Sequence, residues 1–272
     1  MRGFGANPTG LRMQIYVPQQ LAPDPGIVVA VHNCTESGER FAGGPAAEFV
    51  ALAEKYGYLM IFPTATRDGS CFDVSSAAAL RHDGDSDPAG IVSMVRYLQK
   101  SYGRGEVFVI GLSSGAMMSH VLLGAHPEVF TAGAAFAGVP FAGFATESGS
   151  WNEDCARGRL VRTGTQWGDL VRAAVPGRTA DWPRIQLWHS TTDDILDHRN
   201  LAEAIKQWTD VHAVADRPAA ADQPRPHWHR TRYGDAGPQA AVEAISVVDS
   251  PHNVLVPGMA ASTLTFFGLD RS

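Results

Sequence analysis

The chain of 272 residues holds only three cysteines, Cys34, Cys71 and Cys155, and no two of them form a C-x-x-C pair. That spacing argues against a zinc ribbon or a dithiol redox motif, while the odd count allows one disulfide and a free thiol, or no disulfide at all. No apolar run approaches the ~20 residues needed to span a bilayer, so no membrane partner is expected. Charged residues make up just 18%, with a formal net charge of −6, which gives no reason to expect nucleic acid or an anionic surface as partner. No G-x-G-x-x-G opens a first βα unit, which speaks against a nicotinamide-dependent dehydrogenase. Internal repeats and low-complexity linkers are absent as well. No hydrophobic leader precedes the first strand-like segment, which fits either a cytoplasmic protein or a mature secreted one whose leader has been replaced by the starting methionine.

What is present is a globular composition, 44% hydrophobic, in a chain long enough for one sizeable core. Short apolar runs alternate with helical patterns, the signature of a mainly parallel sheet covered on both faces. The alternation predicts strands at residues 11–17, 26–32, 58–62, 106–111, 132–138, 184–188, 227–233 and 244–248. It predicts helices at 46–56, from Asp87-Pro88 to about 103, at 116–125, at 199–211, and from about 257. Asp87 reads as the N-capping carboxylate of its helix, with Pro88 at the first helical position, where a missing N–H costs nothing. Residues 140–181 break the alternation: rich in Gly, Trp and Arg, with one short helix at 166–175, they read as an insertion above the sheet. Residues 216–226, rich in Ala, Pro and Asp, read as a surface loop. Residues 1–272 are thus expected to form a single doubly wound α/β domain.

Gly111-Leu-Ser113-Ser-Gly115 matches G-x-S-x-G. Such pentapeptides arise by chance, but here a buried strand runs into the motif and a helix rich in small residues leaves it. In that setting the serine takes a strained backbone position, and the flanking glycines let strand and helix pass closely. The hydroxyl then stands clear of the sheet, and the helix N–H groups face a developing oxyanion. Ser113 is therefore the candidate nucleophile; the plainer alternative is a tight turn without chemistry.

A serine nucleophile needs a base and an acid, and the order Ser, acid, His on loops after successive strands is that of the α/β-hydrolase fold. After strand 184–188 comes His189-Ser-Thr-Thr-Asp193-Asp194, where Asp193 is the expected acid and Asp194 the reserve. His252, in Asp249-Ser-Pro-His252-Asn253, follows the last strand and precedes the last helix, where the base belongs. His227 and His229 flank Trp228 in a strand pattern that reads as a surface ladder; as an H-x-H metal pair it lacks a third ligand of suitable spacing, so no metal is expected. His120 and His126, on or just past the helix after Ser113, read as packing or capping residues. The oxyanion hole calls for the amide of Ser114 and a second from the loop His32-Asn-Cys34-Thr35, either Cys34 or Thr35. Asn33-Cys-Thr35 also fits a glycosylation sequon, but a loop lining a catalytic site is a poor place for a glycan.

Together these features resemble the polyhydroxybutyrate-depolymerase-like esterases and, within them, the acetylxylan esterases of carbohydrate esterase family 1. The resemblance is carried by residues 34–36, Cys71-Phe-Asp-Val74, Asp87-Pro-Ala-Gly-Ile91 and Gly111-Leu-Ser-Ser-Gly-Ala-Met-Met118. Gly138-Val-Pro140, Trp151-Asn-Glu-Asp-Cys155, Gln186-Leu-Trp-His189 and Glu203-Ala-Ile-Lys-Gln-Trp208 extend it over nearly the whole chain. It implies Ser113 as nucleophile, Asp193 as acid, His252 as base, oxyanion donors at Cys34 and Ser114, and a Cys34–Cys71 disulfide. It further implies a secreted protein and acetylated xylan as the partner, with feruloyl esters or polyesters as related substrates; acyl transfer through a serine needs no metal or organic cofactor. Two departures stand out. Relatives carry a cysteine soon after the Val-Pro pair, where this chain has Phe141-Ala-Gly143-Phe144, so Cys155 is expected to be unpaired; and Ser190 replaces the usual glycine after the strand-end histidine. Trp151, Trp167, Trp182 and Trp188 are candidates to stack on sugar rings or a polyester chain, and equally to be core. A non-catalytic binding protein on the same fold would have a broken triad, whereas here all three members occur in order.

Overall fold

Long apolar runs make the middle of a sheet, because a strand covered on both faces has no reason to alternate. A computed structural model describes residues 3–145 and 151–270. Its strands are β1 (Arg12–Tyr16), β2 (Ile27–Val31), β3 (Leu59–Thr64), β4 (Val107–Leu112), β5 (Ala132–Phe136), β6 (Arg184–Ser190), β7 (Ala220–Arg225), β8 (Trp228–Tyr233) and β9 (Val242–Val247). They form one sheet in the order β1-β3-β2-β4-β5-β6-β9-β8-β7. The six central strands run parallel, and β1, β8 and β7 pair antiparallel at the two edges. Every residue of β2, β3, β4 and β5 is buried.

The helices are α1 (Gly38–Gly43), α2 (Ala47–Tyr56), α3 (Asp87–Tyr102), α4 (Ser114–Ala125), α5 (Glu153–Ala156), α6 (Gly164–Ala174), α7 (Arg199–Val211) and α8 (Met259–Phe267). Period-two alternation sends Ile27, Val29 and Val31 toward the layer built from α3, α4, α6 and α7. Val28 and Ala30 point the other way, into the cluster made by α1, α2 and α8. The result is the α/β-hydrolase architecture, with α5 and α6 inserted between β5 and β6. Among the described residues no helix is long and apolar enough to cross a membrane.

Several expectations need correction. Residues 216–226 are not all loop: β7 lies within them as an exposed edge strand paired to β8. Its composition hides it, since an edge strand tolerates Pro224 and needs no buried face. His227 sits in the tight turn before β8 with a positive φ of 67°, not in the strand. Ser86 caps α3, so Asp87 is its first residue and is fully buried, accepting from Thr9 Oγ1, Arg67 and the Asp73 N–H. α4 starts at Ser114, two residues before the predicted position, because the turn that presents Ser113 is itself the helix start. α1 and α5 are too short to show a helical period.

Candidate active site

All the expected loops leave the sheet at the C-terminal ends of parallel strands, the rim where such sheets place their ligands. Ser113 follows β4 with φ 56° and ψ −115°, a conformation that costs a non-glycine residue on the order of 1–3 kcal/mol. Its N–H is anchored on Phe136 O of β5 at 2.9 Å. The flanking glycines are steric necessities: a Cβ on Gly111 would lie 2.0 Å from Gly115 O, and one on Gly115 would lie 2.0 Å from Val31 O.

The structure brings together the three side chains expected from sequence. His252 Nε2 lies 2.9 Å from Ser113 Oγ, and His252 Nδ1 lies 2.7 Å from Asp193 Oδ2. The Asp193 side chain is wholly buried, and its Oδ1 accepts from the backbone N–H groups of Ile195 (2.9 Å) and Leu196 (2.8 Å). Burial by itself would raise the Asp193 carboxyl, but hydrogen bonds from His189, His252 and the Leu196 N–H, with the His252 charge, hold it far below the usual carboxylate range. A carboxylate fixed in this way makes Nδ1 of His252 the donor and leaves the Nε2 lone pair facing Ser113. Asp194, the reserve, is exposed; its carbonyl accepts from Arg157 at 3.1 Å.

Hydroxyl groups tie the acid loop to the histidine loop. Ser190 Oγ and Thr192 Oγ1 both donate to the Ser250 carbonyl, the second at 2.8 Å, and Thr191 Oγ1 accepts from the Asp249 N–H at 3.2 Å. Ser190 therefore adds a fastening two residues from His252. The fastening is foreshadowed in the sequence only by the hydroxyl-rich run Ser190-Thr-Thr192 beside the acid.

The loop after β2 is held from the other side. Thr35, at φ 63°, donates its N–H to Gly69 O at 2.8 Å, so of the two amides left open by sequence only that of Cys34 is free to serve an oxyanion. Ser114 is the first residue of α4, and its N–H has no acceptor within the helix. Cys34 and Cys71 are disulfide-bonded across 37 residues, a closure worth about 4 kcal/mol in the loop-entropy account. Cys155 is free and buried, with its thiol pushed up to about 12 by burial and then by the Glu203 charge.

Of the four tryptophans weighed for substrate contact, Trp167, Trp182 and Trp188 are buried and belong to the core, whereas Trp151 is 50% exposed. Trp151 packs edge-on against Phe144 and donates to Glu153, which pairs with Arg157, the side chain that holds the Asp194 carbonyl. The inserted segment thus reaches the acid loop. His120 is a packing residue, accepting from Trp208 Nε1 at 2.9 Å.

The chain matches the family model described as Esterase PHB depolymerase over residues 11–223. It is 38% identical over 275 residues to feruloyl esterase B of Talaromyces funiculosus, covering 99% of this chain and 76% of that one. It is 36% identical over 276 residues to an acetylxylan esterase of Coprinopsis cinerea, covering 99% and 72%. Among solved structures it is similar to an acetyl xylan esterase from Aspergillus awamori, with a TM-score of 0.91, 34% identity, and 98% and 97% of the two chains covered.

Proposed function

The chain belongs to the PHB-depolymerase esterase family, and from that premise we propose a carboxylic ester hydrolase that removes acetyl groups from xylan or a related plant polysaccharide. The observation that carries this reading is the continuous line from Ser113 through His252 to Asp193 at hydrogen-bond distances. His252 accepts the Ser113 proton as the hydroxyl attacks the ester carbonyl, and Asp193 steadies the imidazolium that forms. The Cys34 and Ser114 amides stabilise the oxyanion, each donor contributing about 3 kcal/mol. The sugar alcohol leaves with the proton from His252, and water, activated by the same imidazole, releases acetate from Ser113. Trp151, as the exposed aromatic near the acid loop, is the stacking surface for a sugar ring.

Likeness to a feruloyl esterase over 99% of this chain favours a second substrate, a feruloylated sugar. The Cys34–Cys71 disulfide supports an extracellular, oxidising location. The deciding experiment assays acetylated xylan, a feruloylated arabinose and hydroxybutyrate oligomers side by side, with Ser113→Ala as control. Acetate release at the highest kcat/KM, abolished in the variant, is expected. A preference for either other substrate would replace the substrate assignment, and turnover surviving in Ser113→Ala would remove the mechanism.

A further inference from the structure

Away from the rim, the last residue of the nucleophile helix region poses a problem of its own. His126 caps the C-terminus of α4 and is 5% exposed, yet among the described residues neither ring nitrogen has a hydrogen-bond partner. A buried, unpaired imidazole costs free energy unless something absent from the protein itself satisfies it. Its neighbours are His82, whose ring centroid is 5.1 Å away, and Glu128, whose Oε1 is 3.9 Å from His126 Nδ1. Glu128 Oε2 is also 3.7 Å from His82 Nδ1. One ligand atom from each of the three lies within 4.8 Å of the other two.

We propose that His82, His126 and Glu128 form a site for a borderline divalent transition metal, zinc being the expected occupant. Two imidazoles and a carboxylate suit zinc, cobalt or nickel rather than magnesium or calcium, which prefer oxygen donors alone. Zinc at ~2.0–2.1 Å from each ligand sets tetrahedral ligand atoms roughly 3.4 Å apart. His82 and Glu128 are both exposed and can close the present separations, at most 4.8 Å between ligand atoms, onto His126, which is already fixed. Nδ1 of His82 donates to the Ala125 carbonyl at 2.7 Å, which sets its tautomer and leaves the lone pair on Nε2, the arrangement common behind metal-bound histidine. Burial, then the charges of His82 and Arg96, lower the His126 imidazole to about 4, so it is neutral and free to ligate at ordinary pH. Arg96 is the opposing cation, and Glu128 supplies the charge that offsets it.

The site is structural rather than catalytic. It lies at the far end of a helix of 12 residues from Ser113, roughly 18 Å along the axis. A metal there would tie the segment of His82, whose N–H also bonds Ala174 O of α6, to the end of α4.

The test uses the full chain freed of metal by chelation, titrated with zinc chloride by calorimetry and followed by thermal unfolding. One equivalent is expected to bind and to raise the Tm by about 5 °C at a hundredfold excess over Kd. His82→Ala and Glu128→Gln, both at exposed positions and chosen over His126→Ala because they spare the buried residue, are each expected to weaken binding by more than about a hundredfold, beyond the roughly 10- to 100-fold that loss of a merely orienting partner costs. Hydrolysis of an aryl acetate by these variants stays within about twofold of wild type, as the distance from Ser113 requires. Absence of binding up to about a millimolar zinc, or binding that survives both substitutions, would overturn the assignment.

Discussion

At the N-terminal end of α4, His252 has a partner for each ring nitrogen, Ser113 on one side and Asp193 on the other. At the C-terminal end, His126 is more deeply buried and, among the described residues, has a hydrogen-bond partner for neither. The first end is a closed network: loops from β4, β6 and β9 converge, Asp193 accepts from His252 and from the Ile195 and Leu196 N–H groups, and Ser190 and Thr192 lock the loops together. Such a network can pass a proton along a fixed line, because each group is held by the next. The second end converges polar groups without closing them. Two imidazoles and a carboxylate that stand near each other but bond other atoms, or nothing, describe a cradle more than a relay.

The sharpest way to break the comparison is at the closed end, by separating the two adjacent carboxylates. Asp193→Asn is expected to lower kcat on an aryl acetate about 10⁴-fold, since an amide no longer holds His252 in the tautomer that accepts from Ser113. Asp194→Asn, at an exposed position, is expected to stay within about twofold. Steady-state kinetics of the two variants decide the matter; equal losses, or an unimpaired Asp193→Asn, would dissolve the network as described.

Much of this end was legible in the sequence. The buried run into Gly111 and the small residues after Gly115 announce a strand, a sharp turn and a helix, and the clash distances explain why no other residue fits at either glycine. In the sequence Asp193 is preferred to Asp194 by resemblance more than by local pattern, because adjacent carboxylates in a turn differ by which way the backbone points them. Of the oxyanion candidates, Thr35 drops out through a bond to Gly69, a partner 34 positions away that no local pattern foretells. β7 was illegible because Ala220–Arg225 buries almost nothing and so carries no period. The open end was illegible as a cluster. His126 could be read as a capping residue, which it is, but its approach to His82 depends on how the loop before α3 folds back onto α4.

Buried imidazoles, that of the open end among them, also have a measurable cost in acid. Burial lowers the imidazoles of His126 and His212 to about 4 and that of His120 to about 3, the first with added repulsion from His82 and Arg96. In the unfolded chain each takes its proton near pH 6.5, in the folded chain only near pH 4 or below. Between those values the unfolded state binds more protons, so stability falls as the pH drops from about 6.5 to about 4, and above 6.5 nothing is lost. His126 alone accounts for about 3 kcal/mol of that fall. Urea unfolding of the metal-free protein at a series of pH values is expected to show this decline, and His126→Leu to flatten it by up to one proton. A slope unchanged in the variant would mean that His126 is not buried neutral, and the contrast with His252 would lose its basis.

The smallest effect is expected where the closed end is merely fastened. Ser190 touches none of the three aligned side chains; its hydroxyl reaches the Ser250 carbonyl and accepts from the Thr192 N–H at 3.1 Å, joining the acid loop to the loop of His252. Ser190→Ala deletes both bonds but leaves Thr192 Oγ1 on the same carbonyl, so the loops stay connected by the remaining hydroxyl. A lost hydrogen bond of this kind costs about 1 kcal/mol of stability. Its effect on the reaction should appear in kcat, lowered by about three- to tenfold, with KM nearly unchanged, because the loosened imidazole is needed in line only as the proton moves. If kcat is unaffected while the Tm falls, the fastening serves folding alone. Alignment at the closed end would then rest on Asp193, its backbone donors and the remaining Thr192 hydroxyl, with no share from Ser190.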